Sequence, residues 1–413
     1  MKILVTGGCG FIGSAVIRHV IRTTCHQVVN VDKMTYAASE DALEEARTSN
    51  RHTLVRADIT DAPAMQQVFA THRPDAVMHL AAESHVDRSI DGPAPFIHTN
   101  LVGTFVLLEA ARAHWAGLDA VGKAAFRFHH VSTDEVFGAL GPGDPPFTEA
   151  TPYDPRSPYS ASKAGSDHLV RAWQHTYGLP TFVTNTTNNY GPWQFPEKLI
   201  SLVTLNALEG KPLPVYGDGG NERDWLFVDD HAAALVLALE RAEPGATLAI
   251  GARQPRSNLQ VVRAICAVLD ELQPDPAGPR ERLIHFVTDR PGHDFRYEID
   301  PARTTAALGW TAPHGFDAGL RRTVGWYMDN RAWWEGIRAA RYAGQRLGAA
   351  PLAGAAPGAS AGADAVPQGG GVASAQVGTA AAPQVDGPSA PQPGAVAAPK
   401  AGAATASQVG AVA

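Results

Sequence analysis

Glycines fill the junction between the first β-prone segment of the chain and its first helical segment. Residues 2–6 are β-rich, residues 11–22 have a helical pattern, and the run GGCGFIG at residues 7–13 joins them. Such a turn lets helix and strand pack closely and leaves free N–H groups at the helix N-terminus, where a phosphate can bind. The junction predicts a nucleotide-binding strand–turn–helix unit, although a glycine cluster alone can also be a simple turn.

Strand-like and helix-like segments then alternate through the first 180 residues. Further predicted strands lie at residues 27–32, 53–57, 75–80 and 126–131, and the long predicted helices lie at residues 95–115 and 159–177. Asp61 is placed to cap a helix that runs towards Thr71. Strands and helices that alternate at this spacing indicate βαβ units, so we predict an α/β fold with a doubly wound parallel (Rossmann) sheet.

The character of the chain changes twice along its length. After residue 180 the predicted elements shorten and glycine–proline turns become frequent, whereas residues 345–413 are almost wholly small or polar residues without aromatics. We therefore predict a nucleotide-binding domain at residues 1–180 and a smaller α+β substrate-binding portion at residues 181–344. Residues 345–413 are expected to form a disordered low-complexity tail, with a partner-binding or tethering segment as the alternative.

Composition excludes several classes of protein. The 34 basic and 41 acidic residues give a net charge of −7, which argues against nucleic acid binding. The three cysteines are scattered, so neither a disulfide framework nor a paired-cysteine metal site follows. The apolar run after Lys2 ends at two glycines, unlike a signal peptide, and no stretch approaches the ~20 apolar residues of a membrane span. We expect a cytoplasmic protein without nucleic acid, membrane or metal partners.

An aspartate closes the second predicted strand. Asp32 follows Gly13 by 19 positions, where a carboxylate suits the ribose hydroxyls of NAD and would repel the additional phosphate of NADP. Asp58 and Ile59 end the third strand and could face the adenine, although Asp58 could equally cap the next helix. The bound cofactor is therefore predicted to be NAD.

A tyrosine and a lysine share one face of the helix predicted at residues 159–177. Tyr159 and Lys163 stand at i and i+4, so their side chains lie one turn apart. A tyrosine can act as a base only if its phenolate is stabilised, and a neighbouring ammonium provides that stabilisation. Such a pair is often only a surface pair, but its place after the fifth strand favours a catalytic role.

Two adjacent acidic residues follow the strand at residues 126–131. Thr133, Asp134 and Glu135 come where the carboxyl ends of parallel strands open on the ligand crevice. Neighbouring carboxyl groups can divide acid and base roles if their surroundings separate their pKa values. A solvated loop is the alternative, because adjacent acids commonly lie on protein surfaces.

Residues 1–330 resemble the dTDP-glucose 4,6-dehydratase family of extended short-chain dehydrogenases/reductases. The stretches that carry the resemblance are VTGGCGFIGS, VVNVDKMTYA, PDAVMHLAAESHVDRSI, RFHHVSTDEVFG, SPYSASKAGSDHLVRAW, NNYGPWQFPEKLI, PLPVYGDG, RDWLFVDDH and DRPGHDFRYEID. The first of these marks the whole superfamily, whereas the Thr-Asp-Glu triplet and AAESHVDRSI are more specific. Related 4-epimerases typically lack the acid pair, and GDP-mannose dehydratases carry a serine where Asp134 stands.

The resemblance implies a dehydration with an internal redox cycle. Tyr159, supported by Lys163, would take the proton of the sugar 4-hydroxyl while hydride passes from carbon 4 to NAD⁺, and Thr133 would hydrogen-bond the same oxygen. Glu135 would remove the carbon-5 proton, and Asp134 would protonate the departing 6-hydroxyl. Return of the hydride to carbon 6 would give a 4-keto-6-deoxy sugar and regenerate tightly held NAD⁺.

The glycine turn, the strand-end acids and the family positions together assign the binding residues. The predicted cofactor contacts are Gly7, Gly10, Phe11, Ile12, Gly13, Asp32, Lys33, Thr35, Asp58, Ile59, Leu80, Ala81, Ala82, Thr99, Tyr159, Lys163 and Asn189. The predicted nucleotide-sugar contacts are Ser84, Thr133, Asn188, Lys198, Leu199, Pro214, Tyr216, Arg223, Asn258, Asp289, Arg290 and His293. Lys198 and Arg223 would supply positive charge for a diphosphate in an acidic protein.

The resemblance also implies a homodimer, in which the helices at residues 95–115 and 159–177 pair with their copies in a second subunit. Three other functions stay open on the sequence. A UDP-sugar 4-epimerase or a dehydratase of another nucleotide sugar would use the same fold, but an epimerase has no use for the Asp134–Glu135 pair. A non-catalytic NAD-binding scaffold is disfavoured because five residues suited to catalysis are present together, namely Thr133, Asp134, Glu135, Tyr159 and Lys163.

Overall fold

A computed structural model describes residues 1–289, 292–342 and 344 of the protein. Its strands are β1 (Lys2–Thr6), β2 (Gln27–Asp32), β3 (His52–Arg56), β4 (Ala76–His79), β5 (Arg127–Thr133), β6 (Thr181–Thr186), β7 (Asn188–Tyr190), β8 (Leu213–Tyr216), β9 (Glu222–Phe227), β10 (Thr247–Ile250), β11 (Pro255–Ser257), β12 (Ile284–Val287) and β13 (Arg296–Tyr297). Its helices are α1 (Phe11–Thr23), α2 (Ala62–His72), α3 (Val86–Asp91), α4 (Ala94–Phe96), α5 (Thr104–Ala116), α6 (Ala120–Ala125), α7 (Pro158–Tyr177), α8 (Leu199–Leu208), α9 (Val228–Arg241), α10 (Asn258–Leu272), α11 (Ala302–Leu308), α12 (Phe316–Asp329) and α13 (Arg331–Ala340). Short 3₁₀ turns span Asp41–Thr48, Asp134–Phe137 and Arg280–Leu283.

Seven parallel strands form the central sheet in the order β10-β6-β5-β4-β1-β2-β3. The chain winds outward from β1 in one direction through β2 and β3, and in the other direction from β4 onward. The winding therefore reverses between β1 and β4, and in such sheets ligands bind outside the carboxyl ends of the strands at this reversal. The doubly wound α/β fold predicted from the sequence is confirmed.

The central sheet continues beyond residue 180. Strand β6 pairs with β5, with Thr186 opposite Thr133, and β10 pairs with β6 at the edge. The rest of the later half forms two small sheets, one built around β9 with β7, β11 and β13, and one from β8 and β12. Strand β7 directly follows β6 and pairs with β9. This pairing keeps the small sheets and the helices around them beside the carboxyl edge of the central sheet.

Both faces of the central sheet are covered along its inner strands, and β1 is buried and apolar on both sides. Along β1, Ile3 and Val5 pack into the cluster that contains residues of α1 and α9, whereas Leu4 packs into the cluster with α2, α5 and α7. A third cluster joins α8, α10 and α12 around the small sheets. The alternation along β1 explains why the sequence shows a continuous apolar run there.

The helix predicted at residues 95–115 is instead built of three pieces. Between α4 and α5 the segment Ile97–Gly103 is a π-helical turn, so the chain from Ala94 to Ala116 is 23 residues of continuous but uneven helix. A Cβ atom on Gly103 would lie 2.6 Å from the side chain of Ile59, so the π-helical turn packs closely against the loop that follows β3. By length and apolarity alone this helix could also span a membrane, contrary to our expectation of none, but half of its apolar window is buried in the fold.

The predicted helix at residues 159–177 is confirmed as α7, with its signals at both ends. Ser157 and Ser160 form a capping box, Pro158 is the first helical residue, and Gly178 ends the helix in the left-handed region with φ 73°. Asp61 likewise caps α2 by accepting from the N–H of Ala64. The tail predicted at residues 345–413 lies outside the described residues.

Helix α13 was not predicted from the sequence. This helix and the residue after it form hydrogen bonds with the loop that follows β2. Arg341, just past α13, donates to the backbone oxygens of Tyr36 and Ala38. Trp333 donates to the hydroxyl of Ser39 across 3.4 Å. The C-terminal end of the described chain thereby supports the loop in which a dinucleotide would rest.

Candidate active site

A cavity of about 480 Å³ opens at the carboxyl ends of the central strands. Its walls come from the glycine turn, from the ends of β2, β4 and β5, from α7, and from the segment between β6 and α8. The predicted residues that line it are Gly7, Gly10, Phe11, Ile12, Gly13, Asp32, Lys33, Thr35, Ile59, Leu80, Ala81, Ala82, Ser84, Thr99, Thr133, Asp134, Glu135, Tyr159, Lys163, Asn188, Asn189, Lys198, Leu199, Pro214, Tyr216, Arg223, Asn258 and His293. The structure therefore brings together residues from nearly 290 positions of sequence.

Two predicted site residues, Asp58 and Asp289, stand apart from the cavity lining. Asp58 lies behind Lys33, with its carboxylate 3.6 Å from the Lys33 ammonium, and it accepts from the N–H of Thr60. Asp58 does not cap the following helix, because Asp61 does. Asp289 is joined to the cavity through His293, whose Nδ1 lies 2.6 Å from its carboxylate, and Arg290 lies outside the described residues.

The glycine turn has no room for side chains. Gly7 has φ +71°, and a Cβ atom there would lie 2.8 Å from the backbone of Ala81 at the end of β4. A Cβ atom on Gly13 would lie 2.2 Å from the carbonyl oxygen of Gly7. Gly10 precedes α1 without any side-chain cap, so the first N–H groups of that helix are left for a ligand. This cradle fits a dinucleotide pyrophosphate.

Asp32 is held in place by the backbone around it. Its Oδ2 accepts from the N–H of Cys9 at 2.9 Å, and its Oδ1 accepts from the N–H of Met34 at 2.7 Å. Burial raises the pKa of Asp32, and these two hydrogen bonds oppose the rise. A carboxylate can accept about four hydrogen bonds, so two acceptor sites are left for the ribose hydroxyls of NAD.

Asp134 and Glu135 begin the 3₁₀ turn after β5 and have different surroundings. Asp134 is 2% exposed, so the alternative of a solvated loop is wrong for this residue. Burial, then the charges of Glu135 and Asp224, raise its pKa well above the usual range. Its Oδ2 has no hydrogen-bond partner among the described residues. Burial therefore favours the protonated form of Asp134, which can donate a proton, next to the more exposed Glu135.

Tyr159 and Lys163 lie on one face of α7, as predicted, but no hydrogen bond joins them in the described part of the chain. The Lys163 ammonium donates to the Val131 carbonyl at 2.9 Å and lies 3.4 Å from Nε2 of His130. Burial lowers the pKa of Lys163 to about 8, and the charge of Asp167 opposes this. Burial, then the charge of Glu135, raise the pKa of Tyr159.

The opposite wall of the cavity carries two predicted cations. The Lys198 ammonium donates to the Ser84 carbonyl at 3.1 Å, which ties the segment before α8 to the end of β4. Arg223 is buried on β9, donates to backbone oxygens of residues 222, 294 and 295, and stacks 4.3 Å over the ring of Tyr297. These cations supply the positive charge that a diphosphate requires.

Asn188 and Asn189 enter the cavity from β7. The side-chain oxygen of Asn188 is buried without a hydrogen-bond partner in the described residues, so it is an acceptor available to a ligand. Nδ1 of His231 lies 2.9 Å from the Asn189 side-chain oxygen. Burial lowers the pKa of His231 to about 3, so the ring is neutral and its N–H orients the Asn189 amide.

A polar cluster that includes two further residues of the cavity lining was not predicted from the sequence. Glu197, whose side chain is almost wholly buried, accepts from the hydroxyl of Tyr36 and from Nε of Arg88, each at 2.9 Å. The Arg88 guanidinium also lies 4.2 Å over the Tyr36 ring. Two members of the cluster stand next to predicted contacts, since Tyr36 follows Thr35 and Glu197 precedes Lys198. The contact between them was not predicted because the three residues are far apart in sequence.

Asp32→Ala should weaken NAD⁺ binding about tenfold to a hundredfold, because hydrogen bonds to a charged carboxylate are lost. It should also reduce the preference for NAD⁺ over NADP⁺, because the negative charge that repels the 2′-phosphate is removed. Titration calorimetry of the cofactor-free protein with each dinucleotide measures both effects. Asp61→Ala, which removes an aspartate from the cap of α2, is the matched control. Unchanged NAD⁺ affinity in Asp32→Ala would show that Asp32 does not hold the cofactor.

Curated relatives match most of the chain. A family model described as GDP-mannose 4,6 dehydratase matches residues 4–323. The dTDP-glucose 4,6-dehydratase of Neisseria meningitidis is 59% identical over 350 residues, covering 84% of this chain and 99% of that protein. The dTDP-glucose 4,6-dehydratase 1 of Escherichia coli K12 is 57% identical over 350 residues, covering 83% of this chain and 97% of that protein.

Solved structures agree with these matches. The dTDP-glucose 4,6-dehydratase of Streptomyces venezuelae, with NAD and TYD bound, has a TM-score of 0.74 at 40% identity and covers 82% of this chain and 100% of its own. The NAD complex of the UDP-glucose 4-epimerase of Thermus thermophilus has a TM-score of 0.70 at 27% identity, covering 80% of this chain and 100% of its own. Identity, coverage and site architecture agree, and the chain belongs to the dTDP-glucose 4,6-dehydratase family.

Proposed function

We propose that this protein is a hydro-lyase that converts dTDP-glucose to dTDP-4-keto-6-deoxyglucose with NAD as its cofactor, a reaction of deoxysugar biosynthesis. The observation that carries the proposal is the buried, neutral Asp134 beside Glu135 at the cavity. Family membership supports it, because the relatives at 57% and 59% identity are named dTDP-glucose 4,6-dehydratases. When bound, NAD⁺ supplies a hydride acceptor for carbon 4 that can return the hydride to carbon 6.

Tyr159 is the proposed base at the sugar 4-hydroxyl, with Thr133 as hydrogen-bond partner of the same oxygen. Because burial and Glu135 raise its pKa, Tyr159 holds its proton unless a positive charge stabilises the phenolate. Lys163, one helical turn away, provides that charge as long as its ammonium stays protonated. The hydroxyl of Thr133 helps, since its hydrogen bond lowers the pKa of Tyr159.

Glu135 and Asp134 are the proposed base and acid of the elimination. Oxidation at carbon 4 places a ketone next to carbon 5 and makes the carbon-5 proton acidic enough for a carboxylate to remove. Glu135 takes this proton, and Asp134 gives its own proton to the 6-hydroxyl, which leaves as water. Two adjacent carboxyl groups can do this because burial keeps one of them neutral.

The cations across the cavity are the proposed site of the nucleotide diphosphate. Lys198 and Arg223 approach from the segment before α8 and from β9, and Asn188 and Asn258 line the space between them and the triplet. With the diphosphate there, the sugar would extend towards Thr133 and Tyr159. In this arrangement the reacting carbons would lie at the carboxyl end of β5.

The nearest alternative is a UDP-sugar 4-epimerase, and the fold does not exclude it, because a UDP-glucose 4-epimerase shares it with a TM-score of 0.70. The acidic pair distinguishes the two reactions, since epimerisation at carbon 4 needs neither a carbon-5 base nor an acid for the 6-hydroxyl. A dehydratase of another nucleotide sugar is the second alternative, because Asp134 and Glu135 say nothing about the nucleobase.

We also propose a cytoplasmic homodimer built on α5 and α7. Apolar side chains on the π-helical turn and these two helices remain 40–46% exposed, namely Ile97, Val102, Phe105 and Tyr177. Phe105 packs edge-on against Trp173 of α7, so the two helices present one continuous apolar surface. Pairing of this surface with its copy would bury these side chains in a four-helix contact.

Purified protein incubated with dTDP-glucose, UDP-glucose or GDP-mannose should form a keto sugar with dTDP-glucose at least tenfold faster than with the others. Mass spectrometry of the product should show the loss of one water. A product of unchanged mass would indicate epimerisation, and a faster reaction with another nucleotide sugar would overturn the proposed substrate.

Glu135→Gln keeps the shape of the side chain but cannot accept a proton, so turnover should fall about 10²- to 10⁴-fold. The first oxidation should survive, so the absorbance of reduced nicotinamide should appear on mixing with substrate, while exchange of the carbon-5 proton with solvent deuterium slows. Tyr159→Phe should abolish this absorbance because the oxidation itself fails. Glu240→Gln is the control. Glu240 is a surface acid whose side chain contacts His26, which is distant from it in the sequence. Normal turnover in Glu135→Gln would refute its role as base.

Phe105→Arg should convert the dimer to a monomer at micromolar concentration, because a charge would have to be buried in the contact. Light scattering coupled to gel filtration measures the mass. Phe286→Arg replaces an equally exposed aromatic residue on β12 and should leave the dimer mass unchanged. A monomeric wild-type protein, or a dimeric Phe105→Arg variant, would contradict this assembly.

A further inference from the structure

One fully buried charge has no part in the proposed reaction. Asp167 lies on α7 one turn after Lys163, and neither side chain is accessible to more than a few per cent. A buried carboxylate without partners is costly, so its surroundings must compensate. Its position beside the catalytic face of α7 raises the question of what its charge does there.

Three donors hold the Asp167 carboxylate in one orientation. Its Oδ2 accepts from the Tyr153 hydroxyl at 2.8 Å and from the Ser132 hydroxyl at 2.9 Å, and the side-chain N–H of Asn185 lies 3.4 Å away. These donors come from the loop before α7, from β5 and from β6. The carboxylate is therefore fixed by three separate elements of the fold.

The other carboxylate oxygen faces a histidine that also faces the lysine. Nε2 of His130 lies 3.1 Å from Oδ1 of Asp167, 3.1 Å from the Ser166 hydroxyl and 3.4 Å from the Lys163 ammonium. Burial, then the charge of Lys163, lower the pKa of His130 to about 4, so the ring is neutral near pH 7. The anion and the cation thus both lie next to one nitrogen of a neutral ring, with almost no water to screen them.

The charges in this group depend on one another. Burial alone would raise the pKa of Asp167, but its contact with His130, the Lys163 charge and the Ser132 hydroxyl together lower it. Burial lowers the pKa of Lys163 to about 8, and the Asp167 charge acts in the opposite direction. Asp167 therefore remains a carboxylate, and its charge offsets part of what burial costs the ammonium.

We propose that Asp167, whose carboxylate shares Nε2 of His130 as a neighbour with the Lys163 ammonium, is a positioning residue whose charge keeps Lys163 protonated during catalysis. The proposal rests on the function proposed above, in which the Lys163 ammonium stabilises the Tyr159 phenolate. Without the charge of Asp167, burial would favour the neutral amine, and Tyr159 would lose its stabilising cation.

Other titratable groups surround this set and contribute to its charge balance. They are His79 on β4, Arg171 on α7, Tyr153 in the preceding loop, Tyr159, and the acids Asp134 and Glu135 after β5. His79 is neutral because burial lowers its pKa well below the usual range. Arg171 donates to the Tyr153 hydroxyl at 2.8 Å, and that hydroxyl donates in turn to Asp167. On the π-helical turn, the neutral amide of Asn100 donates to Ser162.

Asp167→Asn removes the charge and keeps the shape, so it tests the proposal directly. With dTDP-glucose and saturating NAD⁺, kcat at pH 8 should fall about fivefold, and the alkaline limb of the kcat–pH profile should move about one unit to lower pH. The direction follows because removing an anion lowers the pKa of the neighbouring ammonium. KM for dTDP-glucose should change less than twofold, because Asp167 does not line the cavity.

Two further variants separate charge from structure. Asp167→Glu retains the charge, so its alkaline limb should stay within about 0.3 units of wild type even if kcat falls. Asp167→Ser is a second uncharged variant, which should reproduce the shift and serves if Asp167→Asn does not fold. Asp230→Asn is the matched control, since Asp230 is a buried acid that contacts His314 outside the cavity.

The outcomes distinguish this proposal from the proposed function. Wild-type protein and Asp230→Asn that do not convert dTDP-glucose would refute the function itself. If both turn over and the uncharged Asp167 variant keeps its alkaline limb within about 0.3 units of wild type, the positioning role of Asp167 is overturned. An equal shift in Asp167→Glu would also overturn it, because the effect would then come from shape and not from charge.

Discussion

Burial of ionisable groups behind the end of β5 is the constraint on which the site depends. Removing Lys163 and Asp167 from water disfavours the charged form of each, and only their proximity and the donors around Asp167 offset this. The same loss of water has a different result at Asp134, where burial and the charges of Glu135 and Asp224 raise the pKa although Arg223 and the Thr133 hydroxyl oppose the rise. One physical effect thus acts on the ammonium of Lys163 and on the carboxyl groups of Asp167 and Asp134.

The cofactor side of the cavity depends on close backbone packing instead of charge. Gly7 touches the backbone of Ala81 so closely that any side chain would separate β1 from the end of β4. The loop after β2 is held on its outer side by Arg341 and Trp333, which come from the other end of the described chain. The dinucleotide cradle is therefore braced by segments that are distant in sequence.

The fold alone does not decide the reaction. A UDP-glucose 4-epimerase has nearly the same architecture, as its TM-score of 0.70 shows. In the function proposed above, the reaction depends on the chemistry at the carboxyl end of β5, where Asp134 and Glu135 stand. Function here is a property of a few side chains on a widely used sheet, and the fold supplies their positions.

Local patterns in the sequence determined the parallel sheet, the glycine turn and the limits of α7, through short-range rules of periodicity, capping and steric room that act within a few residues. The residues of the nucleotide-sugar side of the cavity were assigned by resemblance to the family. The sequence could not show that Glu197 meets Tyr36 and Arg88, that Lys163 turns towards His130, or that α13 braces the cofactor loop. Only the tertiary structure decides these, because burial and contact between distant segments set the partners and the charge of each group.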